Sequence, residues 1–343
     1  MEAKKSFSVL FSFLAIATTL GASTSFAQDQ LIVTPRDAHQ PFLMAIDGAK
    51  SKVDMVMFHI SDQDAIKALK DAQTRGVQVR VILDGVIASK SKTAPAIIAD
   101  MQSAGVTVHM SSPAFTITHE KSMLVDDKSL FITSINLTTI ASRTRDFGIV
   151  TANAADIAEF KKFFETDLQN ALTGAGLTPT NATRLVWSPD TSLKQIIDFI
   201  GSAKKSVLAE VENLGSLEIQ AALIQAAKAG VEVKLTVPMC ILGDSPNRNE
   251  PYLDELIQGG VSVRVMGTPS TALKPYIHAK TIVIDDQKFF VGSENFSFNS
   301  LTKAREVGII SSELPIASDI ATVLKSDFGV AEVRTLGKAA VCN

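Results

Sequence analysis

The chain carries the same sequence pattern twice, at an offset of 154 to 155 residues. Four segments of the first half recur in unbroken order in the second: residues 31–35 at 185–189, 49–53 at 203–207, 76–81 at 230–235 and 105–108 at 260–263. Self-similarity of this extent indicates a duplicated domain. The chain must therefore fold as two copies of one lobe, and this limits its architecture more than any other feature.

Strands and helices alternate within each copy. In the first copy, apolar and β-branched runs predict strands over residues 53–60, 77–83 and 106–110, and segments closed by glycine predict helices over 64–75 and 95–104. The second copy repeats the helices near 217–229 and 252–258. This alternation predicts the α/β class, as two similar lobes related by a pseudo-twofold, each a β-sheet flanked by helices on both faces. Residues 28–172 would form lobe 1 and residues 185–343 lobe 2, with residues 173–184 as the linker.

The N-terminus has the layout of a secretory signal peptide. Lys4 and Lys5 precede an apolar stretch over residues 7–20, and small and polar residues then lead to Ala27. An apolar run of about 14 residues is short for a membrane anchor. We therefore expect residues 1–27 to be removed and the mature protein to be periplasmic or secreted.

The amino-acid composition limits the class of protein further. Of the 343 residues, 46% are hydrophobic and 20% are charged, and the formal net charge is −3, which is typical of a soluble globular protein. Removal of the signal peptide lowers the charge to −4. A protein that coats nucleic acid usually has a strong basic excess, so that class is disfavoured. In an oxidising compartment Cys240 and Cys342 could form a disulfide, and the sequence equally allows two free thiols.

Each copy also contains a cluster of polar residues with the same spacing. The first copy contributes His119, Lys121, Asp126, Ser134 and Asn136. The second contributes His278, Lys280, Asp285, Ser293 and Asn295. An acidic residue follows each cluster, Asp146 in the first copy and Glu306 in the second. Because alternate side chains of a strand share a face, the His and Lys of each copy are expected to point the same way.

This combination of side chains suits the chemistry of a phosphodiester. Lysine ammonium and asparagine amide groups donate hydrogen bonds to an anionic phosphate. One histidine can attack the phosphorus while the other protonates the leaving oxygen, and Asp146 and Glu306 can hold the imidazole tautomers. Clustered His and Asp could also bind a metal ion, but a lysine two residues from each histidine would repel a cation. We therefore expect no metal and no other cofactor.

The pattern H-x-K-x4-D-x6-G-S-x-N, present twice, resembles the signature of the phospholipase D superfamily. The resemblance spans essentially the whole mature chain and implies two lobes that share one active site, with a covalent phosphohistidine intermediate. His119 would be the nucleophile, and His278 would be the general acid and then the base. The implied catalytic set is His119, Lys121, Asp126, His278, Lys280 and Asp285. The implied phosphate-binding set is Ser134, Asn136, Ser293 and Asn295, together with the two lysines.

Two positions depart from the family pattern. Thr133 stands where the first motif should have glycine, whereas Gly292 keeps it in the second motif, and a threonine there could narrow the first half-site. Asp146 is one methylene shorter than the glutamate usual in the family. The sequence leaves open which carboxylate orients which histidine.

The motifs are common to enzymes that act on phospholipids and on nucleic acids. The negative net charge weighs against capture of DNA, which depends on phosphate contacts, and apolar loops at 239–243 and 272–276 could meet a lipid interface. The sequence therefore favours phospholipase D-like hydrolysis of phospholipid head groups at a membrane surface. A metal-independent endonuclease, with nucleic acid as substrate, and a phosphatidyl transferase are the alternatives, and a non-catalytic binding module is a more distant one. No protein partner is implied, and we expect a monomer with an internal twofold.

Overall fold

The computed structural model describes residues 28–242, 247–267, 271, 273–340 and 342, so the predicted signal peptide lies outside the described residues. In chain order the first copy contains β1 (Gln30–Val33), α1 (Gln40–Gly48), β2 (Lys52–Met57), α2 (Gln63–Thr74), β3 (Gln78–Leu83), α3 (Gly85–Lys90), α4 (Ala94–Ser103), β4 (Thr107–Met110), β5 (Lys121–Val125), β6 (Ser129–Thr133), β7 (Thr144–Arg145), β8 (Phe147–Thr151) and α5 (Ala154–Thr173). The second copy contains β9 (Leu185–Ser188), α6 (Ser192–Gly201), β10 (Ser206–Val211), β11 (Leu214–Gly215), α7 (Leu217–Lys228), β12 (Glu232–Pro238), α8 (Glu250–Gln258), β13 (Ser262–Met266), β14 (Tyr276–Ile277), β15 (Lys280–Ile284), β16 (Lys288–Gly292), β17 (Phe296–Ser297), α9 (Phe298–Thr302), β18 (Glu306–Ser311), α10 (Leu314–Val330) and β19 (Glu332–Val333).

Each lobe is built on one mixed sheet, and the two sheets share a strand order. Within the described residues the first sheet has seven strands in the order β1-β8-β6-β5-β2-β3-β4, and the second has eight in the order β9-β18-β16-β15-β10-β12-β13-β19. The strands β2, β3 and β4 are parallel, as are β10, β12 and β13, whereas the hairpins β5–β6 and β15–β16 are antiparallel. The predicted duplication and the α/β class are confirmed, and β19 is an addition at the edge of the second sheet.

Local sequence accounts for the matching elements. The predicted helices are confirmed to within two residues as α2, α4, α7 and α8. The equivalent residues Asp62 and Ser216 cap α2 and α7, since each side-chain oxygen accepts a backbone N–H of the first turn. After these helices the chain reverses at Gly76 and Gly230, which have φ of +88° and +87°, a conformation that favours glycine. The segment 174–184 between α5 and β9 contains no helix or strand.

Apolar side chains form three large core layers. Helices α1, α2 and α4 cover the outer face of the first sheet, and α6, α7 and α8 cover the outer face of the second. The third layer lies between the sheets, contains residues of both lobes, and includes the apolar faces of α5 and α10. Within it Trp187 of lobe 2 stacks on Phe163 of lobe 1, with ring centroids 3.9 Å apart. The lobes therefore share a continuous core and cannot separate without exposing it.

Cys240 and Cys342 form a disulfide, with their Cα atoms 5.7 Å apart. The bond joins the C-terminal segment to the loop that follows β12. The sequence had left open whether these two cysteines are paired or free. Among the described residues no helix combines the length and the apolar character needed to cross a membrane.

Candidate active site

The two motif histidines lie where the parallel strands end. His119 immediately precedes Glu120 and β5, and His278 precedes Ala279 and β15. The backbone N–H of His119 donates to the carbonyl of Arg305 at 2.9 Å, and that of His278 donates to the carbonyl of Arg145 at 3.1 Å. Each histidine is thereby bonded to the residue that precedes the acidic residue of the opposite lobe.

The carboxylates consequently orient the histidines across the lobe interface. Nδ1 of His119 donates to Oε2 of Glu306 at 2.7 Å, and Nδ1 of His278 donates to Oδ1 of Asp146 at 2.6 Å. Each carboxylate holds its ring in the tautomer with the proton on Nδ1, which leaves Nε2 for the reaction. Both half-sites need both lobes.

Hydroxyl groups hold the two carboxylates in place. Ser134 donates to Oδ1 of Asp146 at 2.7 Å, and Thr144 donates to Oδ2 at 2.6 Å. Ser300 donates to Oε1 of Glu306. Because all these groups are buried, the hydrogen bonds restrict the rotation of the carboxylates and therefore of the imidazoles.

The structure corrects the expectation that Ser134 and Ser293 bind phosphate. The hydroxyl of Ser134 is used by Asp146, and that of Ser293 donates to the carbonyl of Val307 at 3.4 Å and accepts its N–H at 3.2 Å. Both serines are completely buried behind the histidines. They position the reacting groups and do not reach a substrate.

The two motif lysines are also completely buried, yet they point to the histidines. Nζ of Lys121 donates to the carbonyl of His119, and Nζ of Lys280 donates to the carbonyl of His278. Burial lowers the pKa of Lys121 to about 7, and the neighbouring charge of Glu306 opposes that shift. A bound phosphate would favour the charged ammonium and so would be held strongly.

Electrostatics make the two histidine–carboxylate pairs unequal. Burial lowers the pKa of His119 well below its ordinary value, and the positive charges of Lys121 and Lys280 add to the effect. Burial also raises the pKa of Glu306 to about 7. For Asp146 burial acts in the same direction, but the charge of His278 and its hydrogen bond outweigh it, so the pKa is lowered. The neutral form of His119 is therefore favoured, and Asp146 is favoured as an ionised carboxylate beside His278.

Two cavities reach these residues. A cavity of about 590 Å³ is lined by His119 and Asn295, and a smaller one of about 100 Å³ is lined by His278 and Asn136. The Oδ1 atoms of both asparagines are buried and have no hydrogen-bond partner in the described part of the chain. Since buried polar groups are normally paired, these oxygens retain the capacity to accept a hydrogen bond. A phosphate oxygen is itself an acceptor and would need the amide N–H donors of the same side chains, so the phosphate-binding role of both asparagines stays a prediction.

Asp126 and Asp285 do not reach the site, and the prediction that they are catalytic is wrong. They lie in the turns of the β5–β6 and β15–β16 hairpins, with φ of +52° and +55°. Asp126 accepts the backbone N–H groups of residues 50–52 at 2.7 to 3.2 Å, and Asp285 those of residues 204–206 at 2.7 to 3.1 Å. Five residues of strand separate Asp126 from Lys121, a distance of about 16 Å. Both aspartates fix the hairpin to the start of the neighbouring strand of the sheet, which is β2 in the first lobe and β10 in the second.

Thr133 does not narrow the first half-site, contrary to the expectation from the sequence. It is completely buried, and its methyl group occupies the space beside Gly148, where an added Cβ would lie 2.6 Å from Thr133 Cγ2. In the second lobe a Cβ on Gly292 would lie 2.2 Å from Oε2 of Glu294, whereas the first lobe has Ile135 at the equivalent position. The glycine makes room for a buried glutamate that the first lobe lacks.

Two further residues of the site, Phe58 and Glu212, lie outside both motifs and were not predicted from the sequence. They follow the equivalent strands β2 and β10 and occupy the same place in the two lobes, at the repeat offset of 154. Phe58 packs edge-on against His119, with ring centroids 4.6 Å apart. Glu212 contacts Lys280 and lines both cavities. Comparison of the two copies at this position was the signal that could have found them.

Two interlocked lobes bring paired histidines, lysines and asparagines to one site, and this arrangement suits an enzyme that acts on a phosphodiester. A family model described as "Cardiolipin synthase, PLD-like domain" matches the chain twice, at residues 42–168 and 196–328. The chain belongs to the phospholipase D superfamily and contains two copies of this domain.

Several known proteins resemble the chain over most of its length. The chain is 26% identical to "Minor cardiolipin synthase ClsB" of Bacillus subtilis (strain 168), over 90% of this chain and 83% of that protein. It is 23% identical to "Major cardiolipin synthase ClsA" of the same organism, over 87% of this chain and 68% of that protein. The crystal structure of phosphatidylserine synthase from Haemophilus influenzae Rd KW20 has the same fold, with a TM-score of 0.70 at 12% identity over 90% of this chain and 87% of that one.

Proposed function

We propose that this protein is a phosphatidyl transferase, which moves a phosphatidyl group from one phospholipid to an alcohol through a phosphohistidine on His119. The observation that supports chemistry through histidine is the pair of crossed contacts, His119 with Glu306 and His278 with Asp146. The sequence favoured hydrolysis. The full-length similarity to two cardiolipin synthases favours transfer instead.

In the first step the lone pair of His119 Nε2 attacks the phosphorus of the donor lipid. Glu306 holds the Nδ1 proton, so the attacking nitrogen stays unprotonated. Lys121 and Lys280 neutralise the charge that develops on the non-bridging oxygens. The bond from phosphorus to the head-group oxygen breaks as His278 transfers its Nε2 proton to that oxygen, and the head-group alcohol leaves.

In the second step His278 acts as a base. The hydroxyl of an acceptor alcohol gives its proton to Nε2 of His278 while its oxygen bonds to phosphorus, and the bond between phosphorus and His119 Nε2 breaks. Both histidines then return to their starting protonation states. Water in place of the alcohol would give phosphatidic acid, so transfer and hydrolysis differ only in which nucleophile occupies the acceptor position.

The experiment uses the mature chain, residues 28–343, with phosphatidylglycerol vesicles in EDTA. Transfer between two donor molecules yields cardiolipin and glycerol, whereas hydrolysis yields phosphatidic acid and glycerol. We expect cardiolipin from the wild type and none from His119→Ala or His278→Ala. His109→Ala is the matched control, because His109 lies on the edge strand β4 and not at the site.

The competing functions give different results in the same preparation. Phosphatidic acid without cardiolipin would favour a hydrolase. Nicking of plasmid DNA without any lipid product would contradict a phospholipid substrate and support the nuclease alternative. Loss of all activity in EDTA would overturn the mechanism without a metal. Export of the mature chain, also a proposal, is tested by fractionating the producing cells and determining the N-terminus.

A further inference from the structure

Phe58 and Glu212 occupy equivalent positions of the two lobes, and the pseudo-twofold of the active site is broken there. Their main-chain surroundings match, because the N–H of Phe58 donates to the carbonyl of Glu120 at 3.0 Å and that of Glu212 donates to the carbonyl of Ala279 at 3.1 Å. Their side chains differ completely in charge and in hydrogen-bonding capacity. The two half-sites therefore offer a substrate different contacts, an apolar ring in the first and a carboxylate in the second.

The phenylalanine makes the first half-site apolar on one side. Its ring lies against His119 and also 4.8 Å from Nζ of Lys121, close enough for a cation–π contact. An aromatic ring offers no hydrogen bond to a second hydroxyl. This half-site can hold the nucleophile and a phosphate oxygen, but the Phe58 ring offers an alcohol no hydrogen-bonding group.

The glutamate places a carboxylate at the reactive nitrogen of the other histidine. Oε2 of Glu212 lies 3.1 Å from Nζ of Lys280 and 3.6 Å from Nε2 of His278. Its other oxygen accepts a hydrogen bond from the hydroxyl group of Tyr276 at 2.8 Å. Burial would raise the pKa of Glu212, but the charges of Lys280 and His278 outweigh it and lower the pKa to about 2. The side chain is therefore ionised and held in a fixed place.

An ionised carboxylate accepts hydrogen bonds and donates none. A phosphate oxygen placed against it would be repelled, whereas a hydroxyl group can donate to it. A group that enters between Glu212 and His278 must then donate one hydrogen bond to the carboxylate of Glu212 and another to the unprotonated Nε2 of His278. An alcohol with two neighbouring hydroxyls meets this demand, one hydroxyl for each acceptor atom.

We propose that Glu212 is the specificity residue for the acceptor: it binds a hydroxyl next to the attacking one and so selects a polyol over water and over simple alcohols. The inference rests on the transfer reaction proposed above. During the second step the attacking hydroxyl transfers its proton to His278 Nε2 and bonds to phosphorus, while the neighbouring hydroxyl keeps its proton and donates a hydrogen bond to Glu212. The bond from phosphorus to His119 Nε2 breaks, as before.

The test uses bis(4-nitrophenyl) phosphate as donor, so that it does not depend on a lipid. Release of 4-nitrophenolate measures formation of the phosphohistidine. The products then separate by mass spectrometry into 4-nitrophenyl phosphate from water and the mixed diester from an added alcohol. The ratio of transfer to hydrolysis is measured with glycerol and with 1-propanol for the wild type, Glu212→Gln and Glu212→Ala. Glu232→Gln is the control, since this glutamate of β12 is exposed on the same lobe.

We expect the wild type to prefer glycerol to 1-propanol by about tenfold, the effect of one hydrogen bond to a charged group. Both Glu212 variants should lose this preference while they still release 4-nitrophenolate, and the control should keep it. Tyr276→Phe, which frees one oxygen of Glu212, should lose part of it.

Several outcomes would overturn the inference. An unchanged preference in Glu212→Gln and Glu212→Ala would remove any role in acceptor choice. An equal loss of transfer, hydrolysis and 4-nitrophenolate release would show that Glu212 only holds Lys280. A wild type that transfers to neither alcohol would show that no acceptor site exists. Failure of the proposed lipid function shows separately, as absence of product from phosphatidylglycerol vesicles with this diester still cleaved.

Discussion

Replacing Asp146 with asparagine and Glu306 with glutamine should stall opposite halves of one reaction. Asp146 contacts His278, the proposed acid and base, whereas Glu306 contacts His119, the proposed nucleophile. Each substitution keeps the shape of the side chain and removes its charge. Because each carboxylate contacts a different histidine, the two substitutions should produce different kinetic defects, and these defects test the roles of His119 and His278.

The magnitude follows from the hydrogen bonds. Oδ1 of Asp146 accepts from both His278 at 2.6 Å and Ser134 at 2.7 Å, and Oδ2 accepts from Thr144 at 2.6 Å. An asparagine that turns its NH2 group toward His278 forces Nδ1 to accept, which moves the ring proton to Nε2 and prevents that atom from acting as a base. The other orientation keeps the bond but loses the charge that stabilises the imidazolium. We expect steady-state turnover to fall by roughly 10³- to 10⁴-fold, as for loss of the orienting carboxylate in other histidine-based sites.

The assay follows 4-nitrophenolate in a stopped-flow instrument with bis(4-nitrophenyl) phosphate. This leaving group departs without a proton, so Asp146→Asn should show a burst of one equivalent and then stop. Mass spectrometry should find the 4-nitrophenyl phosphoryl group on His119. Glu306→Gln should show neither burst nor adduct. Asp198→Asn, at an exposed residue of α6, is the matched control, and thermal unfolding checks that all variants are folded.

Two results would refute the reasoning. An adduct that accumulates in Glu306→Gln and not in Asp146→Asn would exchange the roles of the histidines. Wild-type turnover in either variant would show that the carboxylate contacts across the interface do not govern the chemistry.

Four further predictions concern stability and pH. Reduction of the Cys240–Cys342 bond, which spans 102 residues, should lower the free energy of unfolding by about 4 kcal/mol. The same midpoint of denaturant unfolding with and without a reducing agent would contradict this. Asp126→Ala removes the acceptor of several backbone N–H groups and should cost about 2 kcal/mol in chemical denaturation while turnover of the folded enzyme is retained; a selective loss of turnover would restore a catalytic role. Gly292→Ala should cost about 3 kcal/mol, because its Cβ would lie 2.7 Å from the backbone of the facing strand, and an unchanged melting temperature would show that the strands move apart. Glu306 must be ionised to hold the Nδ1 proton of His119, Lys121 must be charged to bind phosphate, and the pKa of each is about 7. The value of kcat/KM should therefore be greatest near pH 7 and fall at higher pH as Lys121 loses its proton, whereas a profile still rising above about pH 8 would disprove this.

The fold was predictable because its signals are local. Capping side chains such as Asp62, turn glycines such as Gly76 and the alternation of β-branched residues each act over a few residues, and the duplication provided every signal twice. The histidines and lysines of the motifs were also predictable as neighbours, because residues two apart share one face of a strand. The disulfide was not, since the spacing of two cysteines says nothing about their distance in space.

Errors in the predicted site came from treating every residue of the motif as part of the chemistry. Asp126 and Ser134 belong to the same pattern as His119, but one fixes a hairpin turn and the other holds a carboxylate. A repeated sequence pattern contains residues that stabilise the fold as well as residues that line the active site. Only their positions relative to the cavities separate the two groups.

By itself the sequence determined the duplicated α/β architecture and the residue types that meet a phosphodiester. The tertiary structure decided that each histidine is oriented by the carboxylate of the other lobe, and that Phe58 and Glu212 make the half-sites unequal. The physical reason is that these contacts join parts of the chain that come together only when the two sheets pack on a common core, and no local pattern encodes that packing.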